Sequence, residues 1–125
     1  MDLIIGGAYQ GKRAYAKEKY ALTDAQIASC TERGDLPLGA RCIDHLELYT
    51  LRCVKDGVNA TEVFRAHAKE WENSVLICED IFCGVVPMGA EMRAWREVTG
   101  ELCAYLSREA VHVTRMFCGL AQVLK

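Results

Sequence analysis

A short apolar run, Leu3 Ile4 Ile5, ends in the stretch Gly6 Gly7 Ala8 Tyr9 Gln10 Gly11 Lys12 Arg13, and a helix-forming segment, Lys12 to Tyr20, follows at once. A glycine-rich turn between a strand and a helix is where a phosphate loop belongs. Gly6, Gly11 and Lys12 fit the spacing GxxxxGK. In such a loop the glycines let backbone N–H groups curve around an anion, the helix N-terminus adds partial positive charge, and the lysine reaches the outer phosphates. The whole stretch from Gly6 to Arg13 is therefore the candidate nucleotide-binding segment. Its eighth position departs from the pattern, because a Ser or Thr there would hold the Mg²⁺ that bridges two phosphates and this chain has Arg13. That exchange counts against metal-assisted turnover. It also places a fixed positive charge where Mg²⁺ would otherwise screen phosphate.

The rest of the composition narrows the class of partner. With 125 residues, 51% of them hydrophobic, the chain is expected to form a single domain over residues 1–125 around one core. Fifteen basic residues against seventeen acidic ones give a formal charge of −2, which argues against a general nucleic-acid or membrane-surface binder. No apolar stretch approaches the roughly eighteen residues of a membrane span, so a cytoplasmic location is expected. Seven cysteines, an odd number without a secretory signal, read as reduced thiols. The spacings of Cys42 with His45, and of Cys78 with Cys83, are irregular and fit buried core cysteine better than zinc.

Along the chain, Thr23 and Gln26 form a capping box that predicts a short second helix to about Arg33, closed by Gly34. The segment Gly34 to Gly39 has the residues of a surface connection. Arg41 to Asp44 reads as a second strand, and His45 to Lys55 as a helix with Leu46, Leu48, Leu51 and Val54 at roughly helical spacing. Asn59 and Glu62 cap a helix carrying Val63, Phe64, His67 and Trp71, and Val75 to Cys78 is the clearest central strand. Glu79 and Asp80 stand at its carboxyl end, before the loop Ile81 to Pro87. A long helix from about Ala90 to Ala110 places Met92, Trp95, Val98, Leu102 and Leu106 on one face. Val111 to Phe117 is a third strong strand, and Val123 Leu124 a short edge strand. Strands alternating with helices indicate an α/β fold with a mostly parallel sheet flanked by helices.

Several of these stretches together resemble one family, the bifunctional adenosylcobinamide kinase and adenosylcobinamide-phosphate guanylyltransferase of cobalamin biosynthesis. The N-terminal GGAYQGKRAYA is similar to that family's GGARSGKSRYAE start, and Ile43 Asp44 His45 Leu46 resembles its acidic strand end. Cys78 Glu79 Asp80 Ile81 Phe82 Cys83 Gly84 Val85 Val86 Pro87 resembles the loop (S/T)NEVGxGIVP. Arg93 Ala94 Trp95 Arg96 Glu97 Val98 Thr99 Gly100 resembles the RxFRDxxG helix that follows it. The resemblance covers residues 1 to 20 and about 41 to 125. Four places depart from it: Arg13 replaces the phosphate loop's Ser, Glu79 Asp80 replaces the later loop's Asn-Glu, Cys103 Ala104 replaces an Asn-Gln pair, and residues 21–40 are too few for the family's second strand and histidine-bearing helix.

The resemblance implies a P-loop NTPase-like domain and a kinase that phosphorylates the adenosylcobinamide hydroxyl with GTP or ATP. With no histidine among residues 21–40, the guanylyl-transfer step is expected to be lost. Lys12, Asp44 and Asp80 become the candidate catalytic residues, and Asp44 and Glu79 the candidate Mg²⁺ ligands. The implied partners are the nucleotide, adenosylcobinamide and further copies of the chain in a trimer, with neither nucleic acid nor membrane. The competing expectation is a catalytically inactive module that binds nucleotide or corrinoid in a regulatory or assembly role.

Overall fold

The computed structural model describes residues 1–125. Its elements run β1 (Asp2–Gly6), α1 (Lys12–Lys19), a 3₁₀ turn (Asp24–Gln26), β2 (Ile27–Ser29), β3 (Cys42–Asp44), α2 (Leu46–Asp56), α3 (Ala60–Ala66), α4 (Ala68–Trp71), β4 (Val75–Glu79), α5 (Ala90–Glu109), β5 (His112–Phe117) and β6 (Leu120–Val123). The strands make one six-stranded sheet in the order β2-β3-β4-β1-β5-β6. All neighbours are parallel except β6, which returns along β5. That hairpin turns through Cys118 and Gly119, both with positive φ (51° and 76°), the geometry that suits the twist of two-residue hairpins. No helix is long and apolar enough to cross a membrane.

Strand alternation sorts the core onto two faces. Leu3, Ile43 and Leu76 pack under α2, α3 and α5 with Leu46, Phe64, Leu102 and Leu106. Ile4, Cys42, Val75, Ile77 and Met116 face the other way, against Ala16 of α1 and the following Leu22 and Ile27. In α5 the buried stripe is Thr99, Leu102, Cys103, Tyr105 and Leu106; Trp95 and Val98 are half-buried, and Met92 lies outside it.

Two expectations need correction. The helix predicted from Thr23 to Arg33 is a single 3₁₀ turn followed by β2. The capping bond from the Thr23 N–H to Gln26 Oε1 does form, at 2.9 Å, but Ile27 then turns into the core and pairs with Cys42. Residues 21–40 therefore do hold a strand, and what they lack is a helix. The helix predicted through Trp71 is also broken at His67 into α3 and α4.

The parallel strands place their carboxyl ends along one edge of the sheet. From β1 the chain crosses by α1 to the far strand β2, whereas from β4 it crosses by α5 to β5 on the opposite side of β1. Connections that leave in opposite directions open a crevice at the strand ends, where ligands of α/β sheets collect.

Candidate functional site

The loop after β1 is shaped first by packing. A Cβ on Gly6 would lie 2.6 Å from the carbonyl oxygen of Met116 on β5, so this position excludes a side chain whatever the loop binds. Gly11 begins α1 in the left-handed region (φ 91°), which glycine adopts without a Cβ penalty. Tyr9 is also left-handed (φ 58°), and its ring is fully exposed at the tip. Gln10 fastens the loop to the hairpin: Cys118 N–H donates to its Oε1 at 2.5 Å, and Gly119 N–H to its carbonyl at 3.2 Å. Lys12 folds back over the loop, its Nζ donating to the Gly7 carbonyl at 2.6 Å.

Beside this loop lies a cleft of about 390 Å³, lined by Ala8 to Ala14 together with Asp44, His45, Glu47 and Glu79. The ends of β3 and β4 thus meet the glycine loop that follows β1. Of the residues singled out in the sequence, Ala8 to Arg13, Asp44 and Glu79 line this cleft, whereas Gly6 and Gly7 do not. Asp80 sits to the side, with Oδ1 close against the Gly7 backbone and its N–H donating to the Gly6 carbonyl at 3.1 Å.

Arg13 reaches from α1 to the strand ends. Its Nη1 lies 3.5 Å from Asp44 Oδ2 and 3.4 Å from Ser29 Oγ, and its Nη2 lies 3.6 Å from Asp24. Asp44 is buried, and its Oδ1 accepts the His45 backbone N–H at 2.7 Å. His45 begins α2 with a left-handed backbone (φ 58°) that carries its ring into the cleft.

Glu47 is the residue the sequence did not reveal. It is only 3% exposed, with Oε1 2.8 Å from His45 Nδ1 and Oε2 accepting the Glu79 N–H at 3.0 Å. Its backbone carbonyl accepts from Trp95 Nε1 (2.6 Å) and Thr50 Oγ1 (2.9 Å), and Thr50 in turn meets Thr99 at 2.6 Å. Helix α5 thereby fixes the first turn of α2. Burial works against a charge on His45, but its hydrogen bond to Glu47 and the charges of Asp44, Glu47 and Glu79 outweigh it and raise the imidazole above its ordinary value.

No protein-family model matches the chain, and no curated protein matches it. The likeness to cobinamide kinases rests on its motifs alone.

Arg13 removes the hydroxyl that would hold Mg²⁺, and the geometry of the cleft removes more. No group of three or more His, Cys, Asp or Glu side chains is placed to hold a metal ion. The carboxylate that would be the first ligand, Asp44, already faces the Arg13 guanidinium. All seven cysteines are free, and five are buried. Burial, with nearby carboxylates, pushes the Cys30 and Cys42 thiols up to about 12, so neither is a thiolate at neutral pH.

The loop after β4 is held from α5. Arg96 donates to the carbonyls of Phe82 (2.9 Å), Val85 (2.6 Å) and Gly84 (2.6 Å), and Arg93 donates to that of Met88. Gly100 lets the Phe82 ring rest on the helix, at 3.8 Å from where a Cβ would stand. The GVVP loop and the arginine-bearing helix are thus one structural unit.

Proposed function

We propose that the cleft binds the polyphosphate of GTP or ATP, and that the chain is a divergent relative of the adenosylcobinamide kinase and guanylyltransferase family within the P-loop NTPase-like folds. The observation that carries this reading is the meeting of Lys12 and its glycine loop with Asp44 and Glu79 in one cleft, at the carboxyl edge of parallel strands. In the reaction, Lys12 exchanges the Gly7 carbonyl for a terminal phosphate oxygen. Arg13 spreads positive charge over the same group, and an acidic side chain at the strand ends, Asp44 or Asp80, orients the adenosylcobinamide hydroxyl for in-line attack. Asp44 and Glu79 are the strand-end carboxylates in the cleft, the residues that would hold Mg²⁺ if it were bound. The exposed apolar side chains Val85, Val86, Met88, Phe117, Leu120 and Val123 favour self-association, with a trimer as the proposed assembly.

Incubation with adenosylcobinamide and GTP or ATP tests the kinase step, and the phosphorylated corrinoid is the expected product. Intact-mass spectrometry after incubation with GTP should show no guanylyl adduct. No histidine lies in residues 21–40, and the ring of His45 is engaged by Glu47. An added GMP mass on any histidine contradicts loss of the second step. The pairing of Arg13 with Asp44 favours one alternative, a catalytically inactive nucleotide- or corrinoid-binding module, for which binding without any transfer is the signature.

A further inference from the structure

Building on the reading that the cleft holds a nucleotide polyphosphate, we infer that it does so without a divalent cation, the Arg13 guanidinium standing where a bridging metal would. A bridging Mg²⁺ needs oxygens with free lone pairs facing the phosphates and a near-octahedral shell. The strand ends do not supply them. Asp44 Oδ2 faces Arg13 at 3.5 Å and Oδ1 accepts the His45 N–H at 2.7 Å. Both Glu47 oxygens are engaged, one by the His45 ring at 2.8 Å and one by the Glu79 N–H at 3.0 Å. Among the carboxylates lining the cleft that leaves Glu79, with Asp80 to its side, and a metal brought beside Asp44 would set a double positive charge against the guanidinium.

Arg13, by contrast, is placed to do what the cation does. It follows Lys12 directly on the first turn of α1, and its side chain is 42% exposed along the cleft. A guanidinium has five N–H donors in one plane. Only Nη1 is directed at Asp44 and Ser29, and Nη2 meets the exposed Asp24 at 3.6 Å, so donors remain for two phosphate oxygens in a bidentate pair. The lining carries Lys12 and Arg13 beside Asp44, Glu47 and Glu79, so the phosphates are met through these two cationic side chains rather than by a net positive cleft.

Isothermal titration calorimetry of GTP and ATP into the full chain, in EDTA and in MgCl₂, tests the inference with the variants Arg13→Gln and Asp44→Asn. Wild type should bind with the same affinity in both buffers. Arg13→Gln should weaken binding in EDTA by about tenfold to a hundredfold, through loss of charge-assisted hydrogen bonds. Asp44→Asn keeps the shape of the side chain and removes a charge opposing the phosphates, so it should tighten binding in EDTA. If Arg13→Gln does not fold, the sign for Asp44→Asn decides. Binding of wild type only in MgCl₂, weakened by Asp44→Asn, overturns the inference and leaves the nucleotide reading standing. No binding in either buffer overturns both.

Discussion

Glu47 joins three elements through one buried carboxylate: the first turn of α2, the ring of His45 and the backbone end of β4. Glu47→Ala should cost about 1–3 kcal/mol in urea unfolding, because it leaves the half-buried Glu79 N–H without its side-chain partner. Glu47→Gln, which keeps an acceptor oxygen, should cost less. Gly6 shows the complementary constraint. Gly6→Ala drives a Cβ into the Met116 carbonyl and should destabilise the sheet by about 1–3 kcal/mol in the same assay. The two residues differ in how far the sequence exposes them. Gly6 stands out by its place in GxxxxGK, although its strictest requirement is the approach of β5. Glu47 stands between Leu46 and Leu48 and looks like any surface position of an amphipathic helix; only the packing of Trp95 and Thr99 on that turn buries it.

At the level of elements, the loop after β4 owes its course to α5. Three carbonyls accept from Arg96 alone. Arg96→Ala should speed amide hydrogen exchange and proteolysis in residues 82–88 while moving the melting temperature little, since the loop is exposed and contributes few buried contacts. Thr99→Val acts in the opposite manner. It removes the Thr50–Thr99 contact between α2 and α5, while Thr50 keeps its bond to the Glu47 carbonyl, and should cost about 0.5–1.5 kcal/mol of global stability. The long elements were legible because periodicity and caps agree over many residues: α5 and α2 fall within a residue or two of expectation. The short ones were not. A capping box announces one turn of helix but not its length, and three residues, Ile27 to Ser29, are too few for an alternating pattern to register. The break at His67 has no glycine or proline to mark it.

Over the whole molecule, strand order follows from pairings that no local pattern encodes, and the cleft exists only because β1, β3 and β4 end together. At the start of β1, Asp2 ties the sheet to the end of α1 and to the neighbouring strand β5: it accepts from Tyr20 OH at 2.5 Å and lies 3.2 Å from His112 Nδ1. Burial alone would raise the Asp2 carboxyl, but these hydrogen bonds and the charge of His112 outweigh it and hold it below its ordinary value. A depressed carboxylate stabilises the fold above its unfolded pKa of about 3.9, and that contribution disappears as pH falls through the lower folded value. Denaturant melts at neutral and acid pH should therefore show wild type losing stability below about pH 4, and Asp2→Asn losing less over the same range.

Binding of a nucleotide polyphosphate between the glycine loop and the strand ends is measured directly by equilibrium titration of folded wild type and Lys12→Ala with a fluorescent GTP analogue. The prediction is saturable binding to wild type, reversed by unlabelled GTP and weakened about tenfold or more in Lys12→Ala. Absence of saturable binding to wild type, or equal binding to the variant, contradicts it.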